Sequence, residues 1–271
     1  MATDLKYEGV AAEVMDALEV GRQIGPFTER MPGFSMADAY RVTAAVRRMR
    51  QDRGERQVGR KIGFTNSAIW NEYGVHAPIW GDMFDGTVGE AGGGAFDLSP
   101  LLEPKIEPEI VFGLAAAPTP GMDEMSLLDC VEWVAHGFEI VQSVYPGWRF
   151  GGPDTVAGLG MHGGLLIGPR TPVGDWPPGG WMAALADFRI TLERNGETVD
   201  EGGGANVLGS PMTALRHLVL LLSNDPHNPP LAAGEIVTTG TLTRAFDVAP
   251  GDVWSTRIEG LPVAGVTVEF R

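Results

Sequence analysis

Glu103-Pro104-Lys105-Ile106-Glu107-Pro108-Glu109-Ile110-Val111-Phe112 carries charge at every odd position through Glu109, while its even positions turn apolar toward the end. Alternation of this kind is that of an extended strand, in which successive side chains point to opposite faces. Lys105, Glu107 and Glu109 therefore share one face. Two carboxylates side by side on a strand repel each other, and a third, Glu139, stands in the similarly apolar run Phe138-Glu139-Ile140-Val141. Carboxylates set in core-like strands need a partner. Two partners fit: a divalent cation, for which three hard oxygen donors favour magnesium or manganese over zinc, or a structural ion pair with Lys105 or another base.

Outward from this strand the body of the chain reads as β structure. Expected strands are Val58–Phe64, Ile106–Leu114, Gly137–Val144, Gly163–Ile167, Phe188–Glu193, Glu235–Thr239, Val253–Ile258 and Val266–Phe270, with Asn195-Gly196 as a hairpin turn. Two helices are expected among them. One runs from near Ser126 to just before His136. The other is capped by Ser210-Pro211 and buries Leu215, Leu218, Val219 and Leu222. The glycine clusters 92–94 and 202–204 lack the lysine and hydroxyl of a phosphate loop and read as turns. Toward the N-terminus, Val10–Ile24 reads as helix. A second helix starts at Ser35, with Asp38 three residues on, and repeats Val42, Val46 and Met49 at helical spacing. The lack of regular strand–helix–strand alternation argues against a doubly wound sheet. The expected fold is α+β, with a small helical N-terminal segment over 1–57 and a mainly β body over 58–271.

The 271 residues carry a formal charge of −15 and a single cysteine, Cys130. Such acidity disfavours nucleic acid and anionic membrane as partners. An anionic substrate would need local cations or a metal. One cysteine excludes an internal disulfide framework, and the longest apolar stretch, near Leu218–Leu222, is too short to span a bilayer. A cytoplasmic enzyme is the expected class.

Several other residues carry chemistry. Lys61, in Gly59-Arg60-Lys61-Ile62-Gly63-Phe64, lies between glycines that let a ligand approach, or is an edge-strand lysine. Asp154 follows Gly151-Gly152-Pro153 as a turn aspartate would. His162 begins a strand and is a base or a hydrogen-bonded structural group. Cys130 reads as a helix core residue beside Val131 and Val134.

Taken together, Lys61-Ile62-Gly63-Phe64-Thr65, Tyr73-Gly74-Val75, Glu107-Pro108-Glu109-Ile110, Phe138-Glu139-Ile140-Val141, Val207-Leu208-Gly209-Ser210-Pro211 and Thr239-Gly240-Thr241-Leu242-Thr243 resemble the 2-keto-4-pentenoate hydratase and 4-oxalocrotonate decarboxylase family, within the fumarylacetoacetate hydrolase superfamily. The resemblance covers nearly the whole chain. It implies a helical cap region over 1–57 and a mixed β-roll catalytic domain over 58–271, and magnesium or manganese on Glu107, Glu109 and Glu139. It also implies a 2-oxo acid or 2-hydroxydienoate substrate with Lys61 near its carboxylate end, and a homo-oligomer. On this basis Lys61, Asp154 and His162 are expected to be catalytic. Ile79, Trp80, Gln142, Arg149 and Thr241 are expected to bind substrate.

The chain departs from the family pattern at the far end of that pocket. Ile79 stands where family hydratases carry an acid, with Asp82 and Asp85 the nearest replacements. Gln142 stands where an aspartate often follows the third glutamate, and the run after Asp154 lacks the family's Asp-Asn pair. Trp70, Trp80, Trp148 and His162 make the pocket bulkier and more aromatic. The expected reaction is hydration of a 2-hydroxydienoate through a metal-stabilised enolate. Decarboxylation of a vinylogous 2-oxo diacid comes next, then carbon–carbon hydrolysis with His162 as base. A non-catalytic partner subunit comes last.

Overall fold

In the computed structural model, which describes residues 2–66, 70 and 75–271, the chain opens with helices α1 (Ala2–Glu19), α2 (Phe27–Arg30) and α3 (Met36–Asp52). Strands β1 (Gln57–Gly63), β2 (Ile79–Phe84), β3 (Val88–Glu90) and β4 (Lys105–Leu114) follow. Helix α4 (Glu124–Leu128), β5 (Val131–Val141), α5 (Gly152–Ala157), β6 (His162–Ile167) and β7 (Thr171–Pro172) continue the chain. Then come α6 (Pro178–Asp187), β8 (Arg189–Arg194), β9 (Glu197–Gly203), α7 (Pro211–Ser223) and β10 (Ile236–Thr241). Strands β11 (Phe246–Asp247), β12 (Val253–Glu259) and β13 (Thr267–Glu269) complete it. Tyr73 and Gly74 of the Tyr73-Gly74-Val75 motif lie outside the described residues.

The strands form two sheets. The larger runs β2-β1-β10-β4-β5-β6-β3, with β11 on β4 and β7 on β5, and mixes parallel and antiparallel pairs. The smaller is β13-β12-β8-β9. One face of the large sheet is covered twice over. Ile62, Ile110 and Phe112 pack against Trp181, Leu185, Leu215 and Leu218 of α6 and α7, while Ile106, Phe138 and Ile140 pack against Leu192, Trp254 and Val268 of the small sheet. The opposite face holds the glutamates. An α+β class with a helical N-terminal region and a mixed β-roll body describes this arrangement.

Local chemistry explains the boundaries. Ser35 caps α3 as its sequence suggests, accepting from the Asp38 amide while the Asp38 carboxylate accepts from the Ser35 amide. Asn195 and Gly196, with φ of 54° and 82°, make the β8–β9 turn that such a pair favours. Residues 204–223 are apolar enough by length and composition to cross a membrane, but half of that stretch is buried in the protein. Its helical part, α7, turns Leu215, Leu218, Val219 and Leu222 into the core.

Several expectations need correction. The helix expected over 10–24 spans Ala2–Glu19. The helix expected from Ser126 to His136 is only Glu124–Leu128. Strand β5 starts at Val131, because β4 extends to Leu114 and offers its ladder to Val131, Trp133 and Val134, residues that suit a strand. Cys130 thus sits buried in the connection between α4 and β5, outside the helix. Gly202 and Gly203 end β9 instead of forming a turn. A side chain at Gly202, Gly203 or Gly204 would run into the carbonyls of Leu242, Phe188 and Leu185 respectively.

The N-terminal helices and the roll share one core. Val14, Phe27, Val42 and Val46 cluster with Ile79, Val141, Tyr145 and Val156. A buried polar network reinforces the contact. Arg47 of α3 reaches Asp82 of β2 at 3.0 Å and Asn228 at 2.6 Å. Arg60 of β1 takes the other Asp82 oxygen at 2.9 Å and Glu235 at 3.2 Å. Charges so placed are tolerable only because each has partners.

Candidate metal centre and substrate cavity

The pairing of β4 with β5 sets Glu107 directly across from Glu139 and Glu109 across from Gly137. The three side chains fall on one sheet face, and one carboxylate oxygen from each lies within 4.8 Å of the others. Gly137 lets β6 approach closely, since a Cβ there would meet the Leu166 carbonyl at 2.7 Å. Glu109 and Glu139 are fully buried, whereas Glu107 is half-buried. Lys61 of β1 approaches the cluster, its Nζ 3.1 Å from Glu139 Oε2.

The electrostatics of the cluster are strained without a cation. Burial, then the neighbouring Glu139 charge, pushes the Glu109 carboxyl well above its ordinary range. Burial likewise raises Glu107, partly offset by Lys61. Burial also works against Glu139, but Lys61 and His162 outweigh it and hold this carboxyl low. For Lys61 burial opposes the charge, yet the three glutamates outweigh it and the ammonium is stabilised. Among the described residues Glu109 Oε1 is buried without a hydrogen bond, while Glu109 Oε2 accepts from the Gly240 amide at 2.8 Å. An orphaned carboxylate oxygen in an all-oxygen cluster fits a hard divalent ion. The base paired with the cluster is Lys61, while Lys105 reaches Asp247 at 3.4 Å.

A cavity of about 480 Å³ opens from the cluster. Glu107, Glu109 and Lys61 line it, together with the apolar Ile79, Val141 and Met161 and the polar Asn66, Asn206, Thr241 and Thr243. Phe64, Trp148 and Phe150 line it as well, as do Lys105, Asp200, Glu201 and Arg244. Leu242 pairs with Pro108, and Phe246 with Ile106. Three residues, 243–245, therefore stand opposite the single residue Glu107 and bulge into the cavity.

Of the expected site residues, the structure brings together Glu107, Glu109, Glu139, Lys61, Ile79 and Thr241. The remainder lie elsewhere, for identifiable reasons. Asp154 caps the N-terminal turn of α5, and its carboxylate is consumed by the Thr28 amide and hydroxyl and the Gly151 amide. It joins the helical region to the roll and does not face the cavity. His162 is behind Glu139, its Nδ1 2.9 Å from Glu139 Oε1 and its Nε2 2.9 Å from Thr87 Oγ1. With both ring nitrogens engaged, it orients a glutamate and is not placed to activate water. Trp80 is buried behind the sheet, stacked 5.0 Å from Tyr40. Gln142 accepts from the Leu102 amide and donates to the His162 carbonyl. Arg149 is exposed. Neither acid near Ile79 replaces the missing group: Asp82 serves the Arg47–Arg60 network and Asp85 is held by Arg56.

Residues 159–161 give no signal in the sequence beyond Gly160 itself. Leu159, Gly160 and Met161 are successively left-handed, with φ of 61°, 65° and 61°. Such conformations cost non-glycine residues roughly 1–3 kcal/mol each. The turn passes so close to β1 and β2 that a Cβ on Gly160 would lie 2.8 Å from Lys61 Cδ, and one on Gly81 2.7 Å from the Leu159 carbonyl.

His136, on the opposite sheet face, leads to an expected pH dependence of stability. Its Nδ1–H donates to the Glu109 carbonyl at 2.9 Å, and burial lowers its pKa to about 4. The unfolded chain takes up this proton near pH 6.5 and the folded protein only near pH 4. Between those values the unfolded state binds more protons, so stability falls as the pH drops, by roughly 3 kcal/mol in all. Urea midpoints at pH 7 and pH 4.5 should differ less in His136→Phe than in the parent protein. Equal differences would show that His136 does not titrate in this way.

A mixed β-roll with a carboxylate triad on one sheet face defines a class of metal-dependent enzymes, and sequence comparison agrees. Residues 102–269 match the family model described as Fumarylacetoacetate (FAA) hydrolase C-terminal, and the chain belongs to that family. It is 34% identical over 271 residues to a 2-keto-4-pentenoate hydratase of Paraburkholderia xenovorans (strain LB400), covering 99% of this chain and 96% of that protein. It is 32% identical to a 4-oxalocrotonate decarboxylase of Pseudomonas putida, covering 93% of this chain and 92% of the other. A solved 4-oxalocrotonate decarboxylase from Pseudomonas putida G7, complexed with magnesium and adipate, superposes with a TM-score of 0.90 at 30% identity, covering 98% of this chain and 97% of that one. The chain is thus a metal-dependent enzyme of the hydratase and decarboxylase branch, acting on a small molecule.

Proposed function

We propose that this enzyme adds water to a 2-hydroxydienoate carrying a single carboxylate, giving a 4-hydroxy-2-oxo acid. Glu107, Glu109 and Glu139 would hold magnesium or manganese. A divalent ion there supplies Lewis-acid stabilisation for negative charge developing on the substrate's C2 oxygen. Lys61 retains its proton and presents an ammonium to the carboxylate end of the substrate. His162, backed by Thr87, fixes the Glu139 carboxylate against Lys61. Ile79, Val141 and Met161 offer apolar contacts to the carbon chain, and Asn206, Thr241 and Thr243 offer polar groups to the attacking water. In the balanced reaction hydroxide adds to C4 and a proton to C5, with the dienol returning to the ketone.

The state of the cavity's cations carries this reading over decarboxylation. A diacid needs a site for its second carboxylate. Lys105 is paired with Asp247 and lies 4.9 Å over the Trp148 ring. Arg244 is paired with Asp200 at 3.0 Å, and Glu201 adds a further carboxylate. A second substrate carboxylate would meet acids already neutralising both cations. Residues 1–57 are read here as a cap on a catalytic roll, and the protein as a cytoplasmic homo-oligomer without nucleic-acid or membrane partners.

The test is product analysis on 2-hydroxydienoates, vinylogous 2-oxo diacids and acylpyruvates with magnesium or manganese, repeated after chelation. A metal-dependent mass gain of one water on the monoacid is expected. Carbon dioxide from the diacid would establish decarboxylation instead, and two acids from an acylpyruvate would establish hydrolysis.

A further inference from the structure

The carboxylate triad and the Ile79–Met161 side account for only part of the cavity. Its aromatic part is formed by Phe64, Trp148 and Phe150. Phe64 and Trp148 both have left-handed backbone, with φ of 54° and 58°. Bulky residues adopt that conformation only when their surroundings fix it, and such strain gathers at ligand clamps. Here the surroundings do fix it. The Trp70 indole donates to the Phe64 carbonyl at 2.7 Å, and the Trp148 indole donates to the Glu103 carbonyl at 3.1 Å. The Glu103 carboxylate in turn accepts from the Gly147 amide at 3.0 Å. Behind the rim an aromatic series runs inward. Trp148 lies 6.0 Å from Phe150, Phe150 lies 5.8 Å from Tyr145, and the fully buried Tyr145 lies 6.2 Å from Phe27.

These rings are half-buried: one side of each packs against the core shared by the N-terminal helices and the roll, and each also lines the cavity. A cavity of about 480 Å³ lies in the range of roughly 300–1,000 Å³ that encloses a drug-sized ligand. A five-carbon dienoate occupies only part of such a volume.

We infer that the substrate carries an aryl group at the end of its chain, stacked against Trp148 and Phe150 and edged by Phe64. This rests on the 2-oxo acid reading above and adds its substrate class. Offset or edge-to-face contacts supply the selectivity, and the paired state of Lys105 and Arg244 agrees with an uncharged distal group.

The measurement is calorimetric binding of two saturated acids, 2-oxopentanoate and 2-oxo-5-phenylpentanoate, to the full-length protein loaded with magnesium. Neither can be hydrated, so binding is read apart from turnover. The phenyl acid should bind about tenfold more tightly. That ratio should fall to near unity in Trp148→Ala and persist in Trp148→Phe, which keeps a ring. Equal affinity for the two acids, or a ratio that survives Trp148→Ala in a folded protein, would overturn the aryl inference while leaving the 2-oxo acid reading standing. Failure of both acids to bind the metal-loaded protein would overturn both.

Discussion

Glu109→Gln should abolish divalent-cation binding and reduce turnover by about a thousandfold or more, while leaving the fold intact. The first part follows from donor chemistry. Glu109 is fully buried, one oxygen is fixed by the Gly240 amide, and the other is the orphan facing Glu107 and Glu139. An amide oxygen there carries no charge, and the loss of Lewis-acid assistance costs several kcal/mol at the transition state. The second part follows from the raised pKa of the Glu109 carboxyl. Without metal the site already resists a second and third negative charge, so a neutral isostere removes repulsion instead of adding it. In chelator, Glu109→Gln should therefore melt at the same temperature as the parent protein or above it. Manganese titration followed by calorimetry, alongside thermal unfolding, checks both. Manganese bound at parental affinity would remove Glu109 from the ligand set.

The legibility of this arrangement in the sequence had a physical limit. The triad was readable because strand alternation is local: Glu107 and Glu109 share a face by the period of the strand, and Glu139 needed only an antiparallel partner to fall opposite. The roll was readable from turn chemistry such as Asn195-Gly196. Residues whose role depends on tertiary direction were not. His162 and Asp154 have the chemistry of catalytic groups, but one faces the back of Glu139 and the other the Thr28 backbone. Trp80 belongs to an alternating strand, and only the sheet order decides that its face is the one away from the cavity. The cavity residues 243–245 owe their position to a bulge between two pairings, which no periodicity announces. The short α4 shows the same limit, because the start of β5 depends on the length of β4 as well as on its own residues.

Lys61→Met should lower turnover by roughly a hundred- to thousandfold while metal stays bound, the reverse of the pattern for Glu109. The ammonium is buried, charged and 3.1 Å from Glu139. Removing it leaves the three carboxylates with one cation fewer, which favours a divalent ion. What is lost is the donor for the substrate's carboxylate end. Gly160→Ala tests the same group from the outside. The new methyl would lie 2.8 Å from Lys61 Cδ on backbone that is left-handed, so either the lysine or the turn must shift. A displacement near 1 Å at a reacting group costs on the order of a hundredfold. Gly160→Ala should therefore lose kcat in the direction of Lys61→Met, with manganese affinity retained and a fold that still melts cooperatively. Because the turn runs directly into His162, a collapse of metal affinity in Gly160→Ala would show that residues 159–161 act through Glu139 instead. Full activity in Lys61→Met would place the ammonium outside the chemistry, as no more than the counter-charge of an empty triad.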